Sequence, residues 1–421
     1  MQRKKISIAL YLISVGFIVA CLYHYSQGAF FGQAYPYNTF LYNPVNRYSD
    51  YFDVIKASVV PDPYTVLLTV YFPFTYVFFK FIGCIFQPFT GLYLIFSLSS
   101  LTLLIWVFST LKLLKLANQR RIISTVIIVG CSYPVLFCWD RGNIEIILLA
   151  FVVLFLYFFY NNNFWIALIF LLPAICMKLY PAALLALYLP KRQYLPIIIA
   201  GLSALLITLL SVFSFQNSIA QEIVEWQGNL AFFKANYLIG NGAMASGSSP
   251  WNIIKTIYID LSLAKAVFLS QPLGPEWAGN LVFSLGNLLR VYSMFMLALA
   301  IYITWHVVFV EKDSRRQAIL LLLFMVFAPA GGADYKMIYV VPVITLLMIL
   351  PPRKYDFLVL LFIAIVLIPK KYFFIPSLVT DSGYADVSYA VYFNPLLLML
   401  SMFFIIQSGW KNREQSALKK T

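Results

Sequence analysis

The sequence predicts an all-α polytopic membrane protein, and three observations carry that prediction. Of its 421 residues, 62% are hydrophobic and only 11% are charged. A soluble domain is about half apolar and about a quarter charged. Mean hydropathy is +0.84, and apolar runs near the length of a spanning helix recur along most of the chain. Such a chain could not cover its own surface in water, which argues against a soluble enzyme, a disordered chain or a disulfide scaffold. The net charge of +14 would suggest nucleic acid in a soluble protein. Here it reads as the basic anchoring of cytoplasmic loops, so the expected partner is the lipid bilayer and not nucleic acid. The five cysteines (Cys21, Cys84, Cys131, Cys138 and Cys176) lie in or beside apolar runs, without a CxxC. Together with only two histidines, His24 and His306, they argue against disulfide, zinc or Ser-His-Asp chemistry.

Each element follows in chain order. Residues 6–25 form the first apolar run, behind Arg3, Lys4 and Lys5. Ile18-Val19-Ala20-Cys21 has the look of a lipoprotein cleavage box, but the remaining chain is itself membrane-embedded, so the run is taken as an anchor. A polar stretch, 26–63, makes a first outer loop. The run 64–86 carries Pro73 in its middle and Lys80 beyond it, which fits a broken helix that dips in or lies at the interface. Further runs cover 91–111, 122–139, 144–160, 164–190, 195–215, 288–310, 318–331, 337–350, 356–369 and 389–409. A second long polar region, 216–287, is read as an outer loop with a short amphipathic helix around Trp251–Leu269. The whole chain is one domain of about 11–13 membrane segments, half-helices included. No internal repeat is apparent, which weakens a transporter reading.

Charge sets the threading. The basic segments 2–5, 112–121, 191–192, 311–316, 353–354 and 411–420 hold most of the 30 Lys+Arg. Placing them all in the cytoplasm puts both termini there and most acids outside. The run 164–190 must then enter and return on one side, as two half-helices meeting at Lys178-Leu179-Tyr180-Pro181. Irregular backbone at membrane depth is tolerated where it is buried or lines a cavity, so Lys178 should face a cavity.

Under this threading the unusual polar groups gather on the outer face: Asp50 and Asp53, Asp140-Arg141-Gly142-Asn143-Ile144-Glu145, Lys178, the stretch from Gly240-Asn241-Gly242 to Ser249-Pro250-Trp251-Asn252, and Asp334-Tyr335-Lys336. Charges at membrane depth are costly and commonly functional. Each also has a plainer reading. Asp50, Asp53 and Asp62 can be solvated loop acids. Asp140-Arg141 can be a helix-end ion pair, with Glu145 favoured by a helix dipole. Lys336 can be an interfacial anchor, and 240–249 a flexible loop. As a set, a carboxylate base with Arg and Lys around a leaving phosphate suits glycosyl transfer from a lipid-phosphate sugar. Glycoside hydrolysis through two opposed carboxylates stays open for Asp50 and Asp53.

At these residues the chain resembles the GT-C superfamily of membrane glycosyltransferases, in particular the polyprenyl-phosphate-mannose-dependent mannosyltransferases and the catalytic subunit of GPI mannosyltransferase I. The resemblance rests on Ser49-Asp50-Tyr51, Tyr71-Phe72-Pro73-Phe74, Arg141-Gly142-Asn143 with Glu145, Met177-Lys178-Leu179-Tyr180-Pro181, Ser249-Pro250, and Asp334-Tyr335-Lys336 before Pro342. It runs over roughly 40–350 in matching order. It implies a GT-C-type helical bundle and inverting transfer of a hexose from polyprenyl phosphate to a hydroxyl of a glycolipid, polysaccharide or protein, with Asp50 as base. Arg141, Lys178 and Lys336 at the donor phosphate are an inference from charge. Asn143, Glu145, Tyr180, Ser249, Asp334 and Tyr335 complete the candidate substrate site. Some relatives carry Asp-x-Asp in the first loop, whereas here the acids read Asp50-Tyr51-Phe52-Asp53. This leaves open whether a divalent metal takes part and which acid is the base; no cofactor is otherwise implied. The rival readings are a lipid-linked-oligosaccharide polymerase or ligase, and a flippase or transporter.

Overall fold

The computed structural model describes residues 2–66, 70–240, 247–268, 275–375 and 387–418. It is helical nearly throughout; among the described residues the only strands are Phe374–Ile375 and Val387–Ser388, paired antiparallel. Prolines open many of the helices: Pro63–Val66, Pro73–Ile85, Pro88–Leu111, Pro250–Phe268 and Pro275–Phe309 each begin on one. The first helical position needs no N–H partner and suits the fixed φ of proline.

Among the described residues, five helices are long and apolar enough to cross a membrane: Lys4–Ala29, Pro88–Leu114, Tyr194–Phe213, Glu276–Phe309 and Ala390–Gln415. The helices Asn118–Gly130 and Tyr133–Arg141, bent by 53°, can form a sixth span. Pro73–Ile85, Glu145–Tyr160, Phe164–Met177 and Asp356–Leu367 are shorter apolar helices. The long helices leave apolar faces bare: Leu202 is 64% exposed and Leu206 57%, a surface that only lipid can cover. The interior holds the helix Ser314–Phe327, where Ile319, Leu320, Leu322 and Leu323 are fully buried. This is an integral membrane protein.

Several segments differ from the sequence reading. The run 122–139 is two helices, because the chain bends at Cys131-Ser132 and Pro134 restarts it. The run 64–86 is broken as expected: the helix Pro63–Val66 precedes a second helix, Pro73–Ile85. Within 164–190 the break falls where expected: helix runs to Met177, Lys178 is extended, and a 3-10 run covers Tyr180–Tyr188. The region 216–287, expected to be loop apart from a helix around Trp251–Leu269, contains that helix as Pro250–Phe268 and adds Ile219–Phe233 and the start of Pro275–Phe309. A capping box between Ser218 and Gln221 starts the helix Ile219–Phe233. Part of the Gly-Ser run, 241–246, lies outside the described residues.

The helix Ser314–Phe327 sets the axis of the core. At its start Arg316, 1% exposed, holds Asp356 through two hydrogen bonds of 2.8 and 2.6 Å, and Arg353 grips Glu311. These pairs explain how acids are accommodated in the basic segments. The helix is 14 residues long, about 21 Å at helical rise; beyond it the chain turns through the 3-10 segment Asp334–Tyr339 and returns as the helix Val340–Ile349. That turn lies at the other end of the core.

Candidate active site

The site is built around one tight turn. The helix Tyr133–Arg141 ends on Gly142 at φ 64°, a left-handed cap that favours glycine. A Cβ there would also stand 3.0 Å from Tyr48 Cα and 3.0 Å from Tyr51 Cβ. The first loop therefore lies directly on this turn. Asp140 fastens it: its carboxylate accepts from Tyr42 N (3.0 Å) and Arg47 Nε (3.3 Å), and its carbonyl accepts from Tyr48 N (2.8 Å). The sequence had offered an ion pair between Asp140 and Arg141. Neighbours on a helix point apart, and Asp140 takes Arg47 instead.

With the loop so held, the helix Ser49–Ser58 delivers Asp50 to Arg141, and the two form a direct ion pair. Arg141 also lies over the Tyr42 ring, 4.1 Å from its centre. Asn143, 1% exposed, donates through Nδ2 to Asp50 Oδ2 at 2.6 Å, and its Oδ1 accepts the Glu145 N–H at 3.1 Å. That second bond caps the start of the helix Glu145–Tyr160.

Glu145 is fully buried and forms the second pole. Lys178 Nζ lies 2.7 Å away, Tyr339 donates its hydroxyl at 3.0 Å, and Tyr180 donates as well. Lys178 also faces the rings of Tyr71 (5.0 Å) and Tyr335 (5.8 Å), and Lys336 stands over Tyr180 at 4.5 Å. Lys178 has no acid near it in sequence; its partner sits 33 positions earlier. Lys336, 7% exposed, makes no ion pair among the described residues. Two acids and three cations thus share one buried, tyrosine-lined centre, with one positive charge in excess when all are ionised.

The other candidates lie around this centre. Ser249 donates to Ala330 O (2.7 Å), and Gly247 bridges to Ala333. Asp334, 2% exposed, accepts the Tyr133 hydroxyl. Both hold the 3-10 turn that carries Tyr335 and Lys336. Asp53 is exposed, one turn beyond Asp50, and makes no ion pair among the described residues. Partial burial and then the neighbouring Asp50 charge push its carboxyl above the usual range. Asp62, read as a solvated loop acid, is instead 9% exposed, bonded to Tyr64 N (3.0 Å) and Asn217 Nδ2 (2.8 Å). Tyr42 and Tyr339 carried no signal of their own in a chain with 29 tyrosines.

Fold and centre together define a polytopic membrane protein with a cluster of acids, bases and tyrosines inside it. The family model of glycosyltransferase family 87 matches residues 69–329, more than half of the chain, and the chain belongs to that family. It is a glycosyltransferase, in keeping with the GT-C-type resemblance. The matched stretch includes Arg141, Asn143, Glu145, Lys178, Tyr180 and Ser249, and leaves Asp50, Asp53 and the Asp334–Lys336 turn outside. Neither a curated protein nor a solved structure matches the chain.

Proposed function

We propose that this glycosyltransferase is an inverting hexosyltransferase, moving mannose or glucose from a polyprenyl-phosphate-linked donor to the hydroxyl of a glycolipid, polysaccharide or protein. In this reading it sits in a bacterial inner membrane, with both termini in the cytoplasm and the site on the outer face. The observation that carries it is the pairing of Asp50 with Arg141 and Asn143 beside a lysine-rich pole with one excess positive charge.

The acceptor oxygen attacks the anomeric carbon as the bond from that carbon to the phosphate oxygen breaks. The acceptor proton passes to Asp50. Its two oxygens offer about four lone-pair sites, so the bonds from Arg141 and Asn143 orient the carboxylate and leave capacity for the hydroxyl. The departing polyprenyl phosphate gains charge, and Arg141, Lys178 and Lys336 are the groups to stabilise it. Glu145 holds Lys178 in place. Placing preorganised charge where it develops is worth about 10²–10³ in rate for a single donor. The bilayer around the exposed apolar helices accommodates the isoprenoid tail.

A panel of polyprenyl-phosphate sugars, offered to the purified protein, tests this through released polyprenyl phosphate. Acceptor-dependent release from one hexose donor is the expected result. Turnover of only diphosphate-linked oligosaccharides would move the protein to the polymerase or ligase reading.

A further inference from the structure

Away from the ionic centre, three acids meet where the first loop touches the helix Ile219–Phe233. Oxygens of Asp62, Glu222 and Glu225 all lie within 4.8 Å of one another. Glu222 is 2% exposed, and neither of its carboxylate oxygens has a hydrogen-bond partner; buried Oε2 of Glu225 has none either. No Lys, Arg or His forms an ion pair with any of the three among the described residues. A buried charge without a partner is among the costliest features a fold can hold. The helix dipole favours a first-turn acid, but Ser218 and Gln221 already cap this helix reciprocally, and a partial charge cannot balance three carboxylates.

We infer that Asp62, Glu222 and Glu225 bind a hard divalent cation, which clamps the segment after the Asp50 helix to the helix Ile219–Phe233. An all-oxygen set with no nitrogen or sulfur suits Mg²⁺, Ca²⁺ or Mn²⁺ rather than zinc or copper. Asn217 orients the first ligand by donating to Asp62 at 2.8 Å. The clamp connects to the ionic centre through a chain of bonds. Asp62 accepts from Tyr64 N (3.0 Å), Asn229 of the same helix donates to Tyr64 O (3.0 Å), and Tyr64 donates its hydroxyl to Tyr71 O (3.0 Å). The Tyr71 ring in turn faces Lys178. The cation thus acts as a positioning element, and its binding does not depend on which sugar is moved.

The full chain, purified in detergent and stripped with a chelator, is titrated with Tb³⁺, whose luminescence Trp226 and Tyr64 can sensitise. A saturable signal, displaced by Ca²⁺, Mg²⁺ or Mn²⁺, is expected, together with a rise in unfolding temperature when one of these ions is restored. The double variant Glu222→Gln/Glu225→Gln keeps the shape and removes two charges. It should bind Tb³⁺ at least tenfold more weakly and lose the ion-dependent rise. Should that variant not fold, Asp62→Asn alone is read the same way. A stripped wild-type protein that gives no saturable signal and no ion-dependent rise overturns the proposal, as does a rise that persists undiminished in the variants.

Discussion

Asn143 donates through its amide nitrogen to Asp50, 2.6 Å away, while its amide oxygen accepts the backbone N–H of Glu145 at 3.1 Å. One side chain thereby ties the Asp50 carboxylate to the backbone at the start of the Glu145 helix. A side-chain amide can donate through its nitrogen and accept through its oxygen at the same time. Asn143→Ala leaves Asp50 with Arg141 alone and uncaps the helix at Glu145. The expected loss is about 1–3 kcal/mol of transition-state stabilisation, seen chiefly in kcat. Asn143→Asp sets a second carboxylate against Asp50 and should be worse than alanine. Steady-state kinetics on the three proteins decide the order.

Glu145 and Lys178 form a buried pair, with Glu145 fully buried. Removing one partner of such a pair costs about 3–5 kcal/mol, and removing both costs less than the sum. Glu145→Gln and Lys178→Met should each lower the unfolding temperature, and the double variant should recover part of the loss. A double-mutant cycle by thermal unfolding measures this coupling; strict additivity would show that the two do not depend on each other.

Gly142 is held by two constraints, a φ of 64° and backbone and side-chain atoms 3.0 Å from any added Cβ. Gly142→Ala should destabilise by about 1–2 kcal/mol from the left-handed backbone alone. The contact with Tyr48 and Tyr51 should push the first loop away, so activity should fall further than stability accounts for. Comparing activity with unfolding temperature in that variant separates the two effects.

Asp53 lies one turn from Asp50 on the same helix, exposed and outside the ionic centre. Asp53→Asn should keep activity within a few-fold and change stability by no more than about 0.5 kcal/mol. A loss comparable to that of an Asp50 variant would make Asp53 part of the chemistry.

Much of this centre was legible because charges at membrane depth stand out. Arg141, Lys178 and Glu145 are conspicuous in apolar surroundings, and the break at Lys178-Leu179-Tyr180-Pro181 announces itself through the proline. The partners were less legible. Lys178 finds Glu145 across 33 positions, a pairing that helix packing decides and no local spacing reveals. Tyr339 and Tyr42 are hidden by the abundance of aromatic residues. The bend between Gly130 and Tyr133 could have been read from Pro134, which restarts a helix after a short polar step. Asp62 was misread because a loop acid looks solvated until a distant helix covers it, and the covering helix lies in a region whose polarity suggested loop.

The most direct test compares Asp50→Asn with the wild-type protein for release of polyprenyl phosphate from a polyprenyl-phosphate hexose. The substitution keeps the shape and removes the base. An intact, membrane-inserted protein is expected, with transfer lowered by about 10²–10⁴-fold, the span of a general base. Wild-type rates in Asp50→Asn would contradict the role of Asp50 as base.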